Sequence, residues 1–109
     1  MDDLELCVVL VTAPHDQAAP LARTLVEERL AACVNILAGV RSIYRWQGKL
    51  SDDDECLLVI KTRRESMELL TKRICALHPY EVPEVLALAV DSEVGNPRYL
   101  EWLLAETKR

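Results

Sequence analysis

Short apolar runs, separated by polar or turn-forming segments, divide this chain into seven predicted elements. Four runs lack a helical repeat, and we predict strands over residues 5–13, 33–46, 55–61 and 85–90. Within the second strand, Ala38-Gly39 predicts a bulge or bend. Three other segments place apolar residues at helical spacing, over residues 17–31, from about residue 62 to 77, and after residue 97. The predicted order is therefore β-α-β-β-α-β-α.

Local signals predict where the helices begin. Pro14-His15-Asp16 interrupts the first strand and offers an N-cap to the first helix. Thr62 and Glu65 have the spacing of a capping box, and Asn96 followed by Pro97 predicts an N-cap and a first helical residue. The element order predicts an α+β fold, a ferredoxin-like split βαβ sandwich with an antiparallel sheet and an added C-terminal helix. We predict one domain over residues 1–109.

The predicted strands are apolar on both faces of the sheet. Two helices cover one face in this topology, and the other face normally carries polar side chains. Here both faces are apolar in three strands, as in Leu6-Cys7-Val8-Val9-Leu10-Val11, Leu57-Leu58-Val59-Ile60 and Val85-Leu86-Ala87-Leu88. Such a strip exceeds what soluble monomers usually expose, so we predict a homo-oligomer that packs through it. The alternative is that the C-terminal helix covers this face within one chain.

Composition narrows the class of protein. The 109 residues are 50% hydrophobic with a net charge of −5, which excludes a disordered chain and argues against a nucleic-acid binder. No apolar stretch approaches the roughly 20 residues that a membrane span needs. The opening Met-Asp-Asp-Leu-Glu lacks the basic segment of a secretory leader. We therefore expect a cytoplasmic protein without a membrane or nucleic-acid partner.

The cysteines predict no metal knuckle and no redox pair. The four, Cys7, Cys33, Cys56 and Cys75, are too far apart in the chain for a zinc motif or a CxxC motif. Because each lies in an apolar run, we expect four small buried thiols.

Five segments together carry a resemblance to a known family. They read ERLAACVN (28–35), SIYRWQGK (42–49), KT (61–62), HPYEVPE (78–84) and NPRYLEW (96–102). In this order and spacing they resemble the CutA divalent-cation tolerance family over nearly the whole chain. The resemblance implies a ferredoxin-like subunit in a homotrimer, similar in architecture to the PII signalling proteins. It also implies a part in the tolerance of copper and other divalent cations.

The resemblance directs the search for a metal ligand to His78. Family members credited with copper ligation have a Cys before the first Pro and a His-His pair before Pro-Tyr, and Ala13, Leu77 and His78 hold these positions here. Any contact with copper or another divalent cation is therefore expected through His78. Alternatively, His78 caps the helix that Pro79 ends. His15, beside an acidic residue, is expected to be solvated or to act as an N-cap.

Five residues in the family's motifs are candidates for ligand binding. Tyr44, Trp46, Lys61, Tyr80 and Glu84 lie at strand ends or in loops, and the resemblance implies that such residues line clefts between subunits. An aromatic wall with one Lys and one Glu suits a small ligand. Alternatively, the aromatic residues only pack at the subunit interface.

Neither the acidic run nor any catalytic motif predicts a reaction. Asp52-Asp53-Asp54-Glu55 lacks the spacing of an EF-hand loop, so we expect it to form a solvated hairpin tip. The chain has no Gly-rich phosphate loop and no GxSxG motif. We predict a non-enzymatic, copper-associated metal-binding or metal-response trimer. The alternative is a PII-like sensory or scaffold trimer with a small molecule in its intersubunit cleft, and a weaker one is an enzyme of unrecognised type.

Overall fold

A computed structural model describes residues 5–109 of the chain, and its elements follow the predicted order. They are β1 (Leu6–Ala13), α1 (His15–Glu27), β2 (Cys33–Trp46), β3 (Lys49–Arg63), α2 (Met67–Leu77), β4 (Leu86–Ala89) and α3 (Pro97–Glu106). The prediction that the chain does not open with a secretory leader rests mainly on residues 1–4, which lie outside the described residues. Across residues 5–109, none of the helices combines the length and the hydropathy of a membrane span.

The four strands form one antiparallel sheet in the order β2-β3-β1-β4. β1 pairs with β3 from Leu6↔Arg63 to Ala13↔Cys56, and with β4 on its other side. β1 and β3 therefore occupy the centre of the sheet, where each strand is hydrogen-bonded on both edges. This confirms the α+β fold with an antiparallel sheet and three helices.

The main core lies between the sheet and helices α1 and α2. Alternate residues of a strand share one face, so Val9 and Val11 in β1 project to the same side as Leu58 and Ile60 in β3. All four are fully buried. The helices close this layer with side chains that include Leu21, Leu25, Leu70 and Ile74. Aliphatic packing on this face therefore holds the helices onto the sheet.

The opposite face of the sheet, called here the open face, is covered only at one end. There α3 packs Leu103 against Leu6 and Ala32 in a second small cluster. Farther along, Leu86 and Leu88 of β4 stay 55% and 50% exposed. The alternative that the C-terminal helix covers this face therefore holds for one end of it, and no part of residues 5–109 covers the rest of the apolar strip.

One of the three predicted helix starts is wrong, one falls within the predicted segment without a side-chain cap, and one is confirmed. Thr62 lies in β3, where its buried hydroxyl donates to the carbonyl oxygen of Leu30 at 2.7 Å instead of capping a helix. A short 3₁₀ turn follows at Arg64–Ser66, and α2 begins only at Met67. α1 has Pro14 as its N-cap, without a side-chain hydrogen bond. The Asn96 cap is confirmed, because its Oδ1 accepts from the Arg98 N–H at 3.1 Å.

The acidic run does not form the tip of the β2–β3 hairpin, as was expected. β3 begins at Lys49, so Asp52, Asp53 and Asp54 belong to a strand paired with β2. The turn is Gln47-Gly48, whose φ angles of +51° and +79° suit the two-residue turns that match strand twist. The predicted bulge is confirmed, since the register shifts between Leu37 and Val40, next to Gly39 at φ +76°.

The cysteines do not share one environment. Cys7 and Cys56 are buried, Cys33 is half-buried and Cys75 is exposed. The expectation of four buried thiols is therefore wrong for Cys75 and only partly met by Cys33. The reason is helical geometry, because Cys75 follows the buried Ile74 by one residue and so turns away from the sheet.

Candidate functional site

A cleft of about 550 Å³ opens where the β2–β3 hairpin, the end of β1 and the segment after α2 meet. Its lining residues are Thr12, Ser42, Ile43, Tyr44, Trp46, Glu55, Tyr80, Glu81, Val82 and Glu84. β1 lies next to β3 in the sheet, and α2 ends beside the end of β1, where His78 contacts the Thr12 carbonyl oxygen. The segment after α2 therefore lies at the cleft.

A buried carboxylate anchors the cleft wall. Glu55 is only 3% exposed, and its Oε2 accepts a hydrogen bond from the Tyr80 hydroxyl at 2.6 Å. Burial raises the pKa of Tyr80, and its hydrogen bond to the Glu55 carboxylate raises it further. Tyr80 therefore stays protonated and acts as a fixed donor. The expectation of a solvated Glu55 is wrong, because its strand places it beneath Tyr80.

His78 supports Tyr80 through the main chain. The ring is buried, its Nε2 lies 2.7 Å from the Thr12 carbonyl oxygen, and its Nδ1 accepts from the Tyr80 N–H at 3.1 Å. These partners assign the proton to Nε2 and the neutral tautomer. The ring also packs tilted against Tyr80, with centroids 4.6 Å apart. Metal ligation by His78 therefore requires the ring to give up one of these two hydrogen bonds.

A second tyrosine–carboxylate pair lies on the hairpin. The Tyr44 hydroxyl donates to Asp53 Oδ2 at 2.6 Å, and this hydrogen bond raises the pKa of Tyr44. On the opposite face of the hairpin, Arg41 forms a two-pronged ion pair with Asp52, with N–O distances of 2.8 and 2.6 Å. The Arg41 hydrogen bond lowers the pKa of Asp52. The Tyr44–Asp53 contact therefore orients one aromatic ring of the cleft wall, while the Arg41–Asp52 pair ties β2 to β3.

The structure brings together four of the five predicted ligand-binding residues. Tyr44, Trp46, Tyr80 and Glu84 all line the cleft, and Glu84 accepts from the Thr12 hydroxyl at 3.4 Å. Lys61 does not line it. It lies six residues along β3 from Glu55, a distance of about 20 Å at 3.3 Å per residue. Its Nζ donates to Asn35 Oδ1 at 2.5 Å on the open face.

The cleft is acidic. Its lining residues include three carboxylates, from Glu55, Glu81 and Glu84, and no lysine or arginine. A concave surface with one sign of charge concentrates ions of the opposite sign. Within residues 5–109, no three His, Cys, Asp or Glu side chains converge closely enough to hold a metal ion. The cleft therefore presents an acidic surface without a preformed metal cage among residues 5–109.

The fold and the site define the class of protein. It is an α+β protein with an antiparallel four-stranded sheet and a cleft lined by acidic and aromatic side chains. The sequence model described as "CutA1 divalent ion tolerance protein" matches residues 7–106. The chain belongs to the CutA1 family. Members of this family are named for tolerance of divalent cations, and that description names no catalysed reaction.

Three relatives illustrate the likeness. The divalent-cation tolerance protein CutA of Thermus thermophilus is 52% identical over 92% of this chain and 96% of its own. The chloroplastic protein CutA of Arabidopsis thaliana is 49% identical over 93% of this chain, which spans 55% of that longer protein. The apo structure of the PII-like protein CutA from Nostoc sp. PCC 7120 superposes with a TM-score of 0.88 at 37% identity, covering 94% of this chain and 97% of its own. The fold is thus shared with CutA1 and PII-like proteins.

Proposed function

We propose that this protein acts in the cellular response to divalent cations, as a non-enzymatic cytoplasmic homotrimer whose acidic cleft binds a cationic ligand. The observation that carries the proposal is the lining of the cleft, with three carboxylates, three aromatic rings and no basic side chain. The negative field of such a surface attracts cations. The names of the family and of its Thermus relative support the same class of ligand.

The open face supports self-association. Leu10↔Leu86 and Val8↔Leu88 are paired across β1 and β4 on that face, so their side chains form a continuous apolar strip. Hiding such a strip stabilises an assembly by about 25 cal/mol for each Å² removed from water. The cleft opens on the same face. Thr12 lies two residues from Leu10 in β1, and Glu55 lies four residues from Val59, the β3 partner of Leu10, so both side chains project to the side of Leu10. A neighbouring subunit on this face would therefore stand beside the cleft and form part of its wall.

Copper is the first cation to test, and we place it at the cleft carboxylates. Glu81 and Glu84 are exposed and accessible, whereas His78 has both ring nitrogens in hydrogen bonds. Because three ligands do not converge within residues 5–109 of one chain, the cation keeps part of its water shell or takes ligands from a second subunit.

Calorimetric titration of the assembled protein with Cu²⁺ tests this placement. We expect Glu81→Gln and Glu84→Gln each to weaken binding several-fold, while Glu101→Gln, an exposed carboxylate on α3, leaves it unchanged. If His78→Ala loses binding while both glutamine variants bind fully, the cation site is the His78 imidazole and not the cleft carboxylates. Absence of stoichiometric binding in the unaltered protein would refute a direct metal contact.

A second candidate is a small organic cation, and the aromatic wall favours it. Tyr44, Trp46 and Tyr80 line the cleft beside its carboxylates. Ammonium groups are attracted to aromatic faces, most strongly to Trp, by about 0.5–2 kcal/mol per contact. The protein would then act as a PII-like sensor or scaffold for an amine-bearing metabolite.

A thermal-shift screen of amine-bearing metabolites separates the two candidates. A ligand that occupies the cleft should raise Tm in the presence of EDTA, and Trp46→Ala should remove the rise. Trp102→Ala is the matched control, because Trp46 and Trp102 are both 42% exposed and only Trp46 lines the cleft. Lys61→Ala should also leave the shift intact. Stabilisation that EDTA abolishes would instead favour a metal ion.

A further inference from the structure

A thiol and an imidazole meet where β1 ends and α1 begins. Cys56 in β3 is the Cα partner of Ala13, the last residue of β1, and His15 opens α1 two residues later. Cys56 Sγ lies 3.3 Å from His15 Nδ1, although the two residues are 41 positions apart in the chain. Ala13 carries only a methyl group, which leaves room for the imidazole of His15 to reach the thiol.

The two donors differ in their exposure. Cys56 is 3% exposed and belongs to the core cluster of the helix-covered face. His15 is exposed, so a small ion can reach the pair from solvent past its ring. Between residues 5 and 109, neither side chain has a second side-chain hydrogen bond, and neither lines the acidic cleft. The pair is therefore a separate feature of the molecule.

The chemistry of the donors indicates the class of ion. A structural zinc site uses four ligands, whereas no third His, Cys, Asp or Glu joins this pair in the described part of the chain. Thiolate sulfur selects soft ions such as Cu(I), and imidazole also suits copper. Soft d¹⁰ ions of this kind are satisfied by two donors in a nearly linear arrangement.

We propose that Cys56 and His15 form a two-ligand site for a soft, thiophilic metal ion, with Cu(I) as the occupant that cells supply. On binding, the Cys56 thiol releases its proton to solvent, and Sγ and Nδ1 each donate a lone pair, so the oxidation state of the metal does not change. Zinc–sulfur and zinc–nitrogen bonds are about 2.3 and 2.0 Å long, and bonds of similar length in a linear arrangement place the two donors about 4.3 Å apart. The exposed His15 ring has to retreat by only about 1 Å from its present position to allow this.

Anaerobic titration of the full chain with Cu(I), against a chromophoric Cu(I) chelator, tests the proposal, with Ag(I) as an air-stable second probe. The background is the double variant Cys33→Ser/Cys75→Ser, which removes the two more accessible thiols and keeps Cys56 and Cys7. We expect one equivalent per chain in this background, with ultraviolet thiolate-to-metal absorption. Adding Cys56→Ser should abolish it, and adding His15→Ala should weaken binding at least tenfold.

Two further measurements make the outcome decisive. X-ray absorption of the Cu(I) form should show one sulfur and one nitrogen as ligands, and circular dichroism should show that each variant keeps its fold. Cys56→Ala serves as a second variant if Cys56→Ser unfolds. An equivalent that survives loss of Cys56, or that disappears in the double-variant background, would overturn the proposal. The glutamine variants of the cleft should not affect this site, so its failure is distinguishable from failure of the cleft as a cation site.

Discussion

Both faces of the sheet carry apolar side chains, but the helices of the chain cover only one face fully. On the helix-covered face, Val9, Leu58 and Ile60 are fully buried under α1 and α2. On the open face, Leu86 and Leu88 are about half exposed, because α3 packs only against one end of the sheet. An apolar side chain in a strand therefore predicts that its face is covered, but not whether the cover belongs to the same chain. In the proposed assembly, a second copy supplies the remaining cover.

The largest expected effect comes from a charge on the open face. Leu88→Asp should prevent association, since burying an unpaired carboxylate costs several kcal/mol. Light scattering should then show the mass of one chain in place of three. Leu69→Asp on α2 is the matched control, because Leu69 is 49% and Leu88 50% exposed in the single chain. Equal masses for the two variants would contradict a role for the open face in assembly.

The helix-covered face should respond differently to truncation. Leu58→Ala removes a fully buried side chain and should lower the free energy of unfolding by about 2–5 kcal/mol. We expect this loss in urea denaturation at every protein concentration. The loss caused by Leu88→Ala should depend on concentration if, as proposed, another chain covers that residue. A concentration-independent loss in both variants would remove the distinction between the two faces.

Two threonines extend the comparison to hydrogen bonds. Thr62, fully buried on the helix-covered side, donates to the Leu30 carbonyl oxygen at 2.7 Å. Thr62→Val leaves that carbonyl without its donor and should cost about 1–2 kcal/mol in chemical denaturation. The Thr12 hydroxyl, at the cleft, donates a long 3.4 Å hydrogen bond to Glu84. Thr12→Val should change stability by less than about 0.5 kcal/mol, and a larger loss would give this contact a structural role.

The smallest expected effect is a pH dependence in the helix layer. The hydrogen bonds from Arg73 lower the pKa of Glu28, at distances of 2.9 and 2.7 Å. Since the folded pKa lies below the unfolded one, the pair stabilises the fold above the unfolded pKa, and this contribution disappears as pH falls through the folded pKa. Both groups are partly exposed, so the effect is small. Thermal unfolding between pH 7 and pH 3 should show a slightly shallower fall for Glu28→Gln, and an unchanged profile would show that the pair contributes nothing.

Local sequence patterns predicted the secondary-structure elements and part of the cleft. They failed where contacts with residues far away in the chain determine the position of a side chain. Asn96-Pro97 acts as predicted, because a cap needs only residues next to it in the chain. The capping box at Thr62 failed because its hydroxyl bonds to Leu30, a residue 32 positions away. Glu55 was predicted as solvated from its acidic neighbours. Nothing in the sequence indicated that Tyr80 covers Glu55. The one available signal was that Glu55 directly precedes a buried strand, which is a position where a carboxylate can be buried.

The sequence by itself determined the order of strands and helices and the aliphatic layers, and its resemblance to the CutA family pointed to five candidate residues, four of which line the cleft. These depend on periodicity and on short motifs, which local sterics and burial translate into structure. Only the tertiary structure decided that Glu55 is buried, that Lys61 lies outside the cleft and that His15 meets Cys56. The physical reason is register, because strand pairing brings together side chains 25 and 41 positions apart and sets which groups share hydrogen bonds.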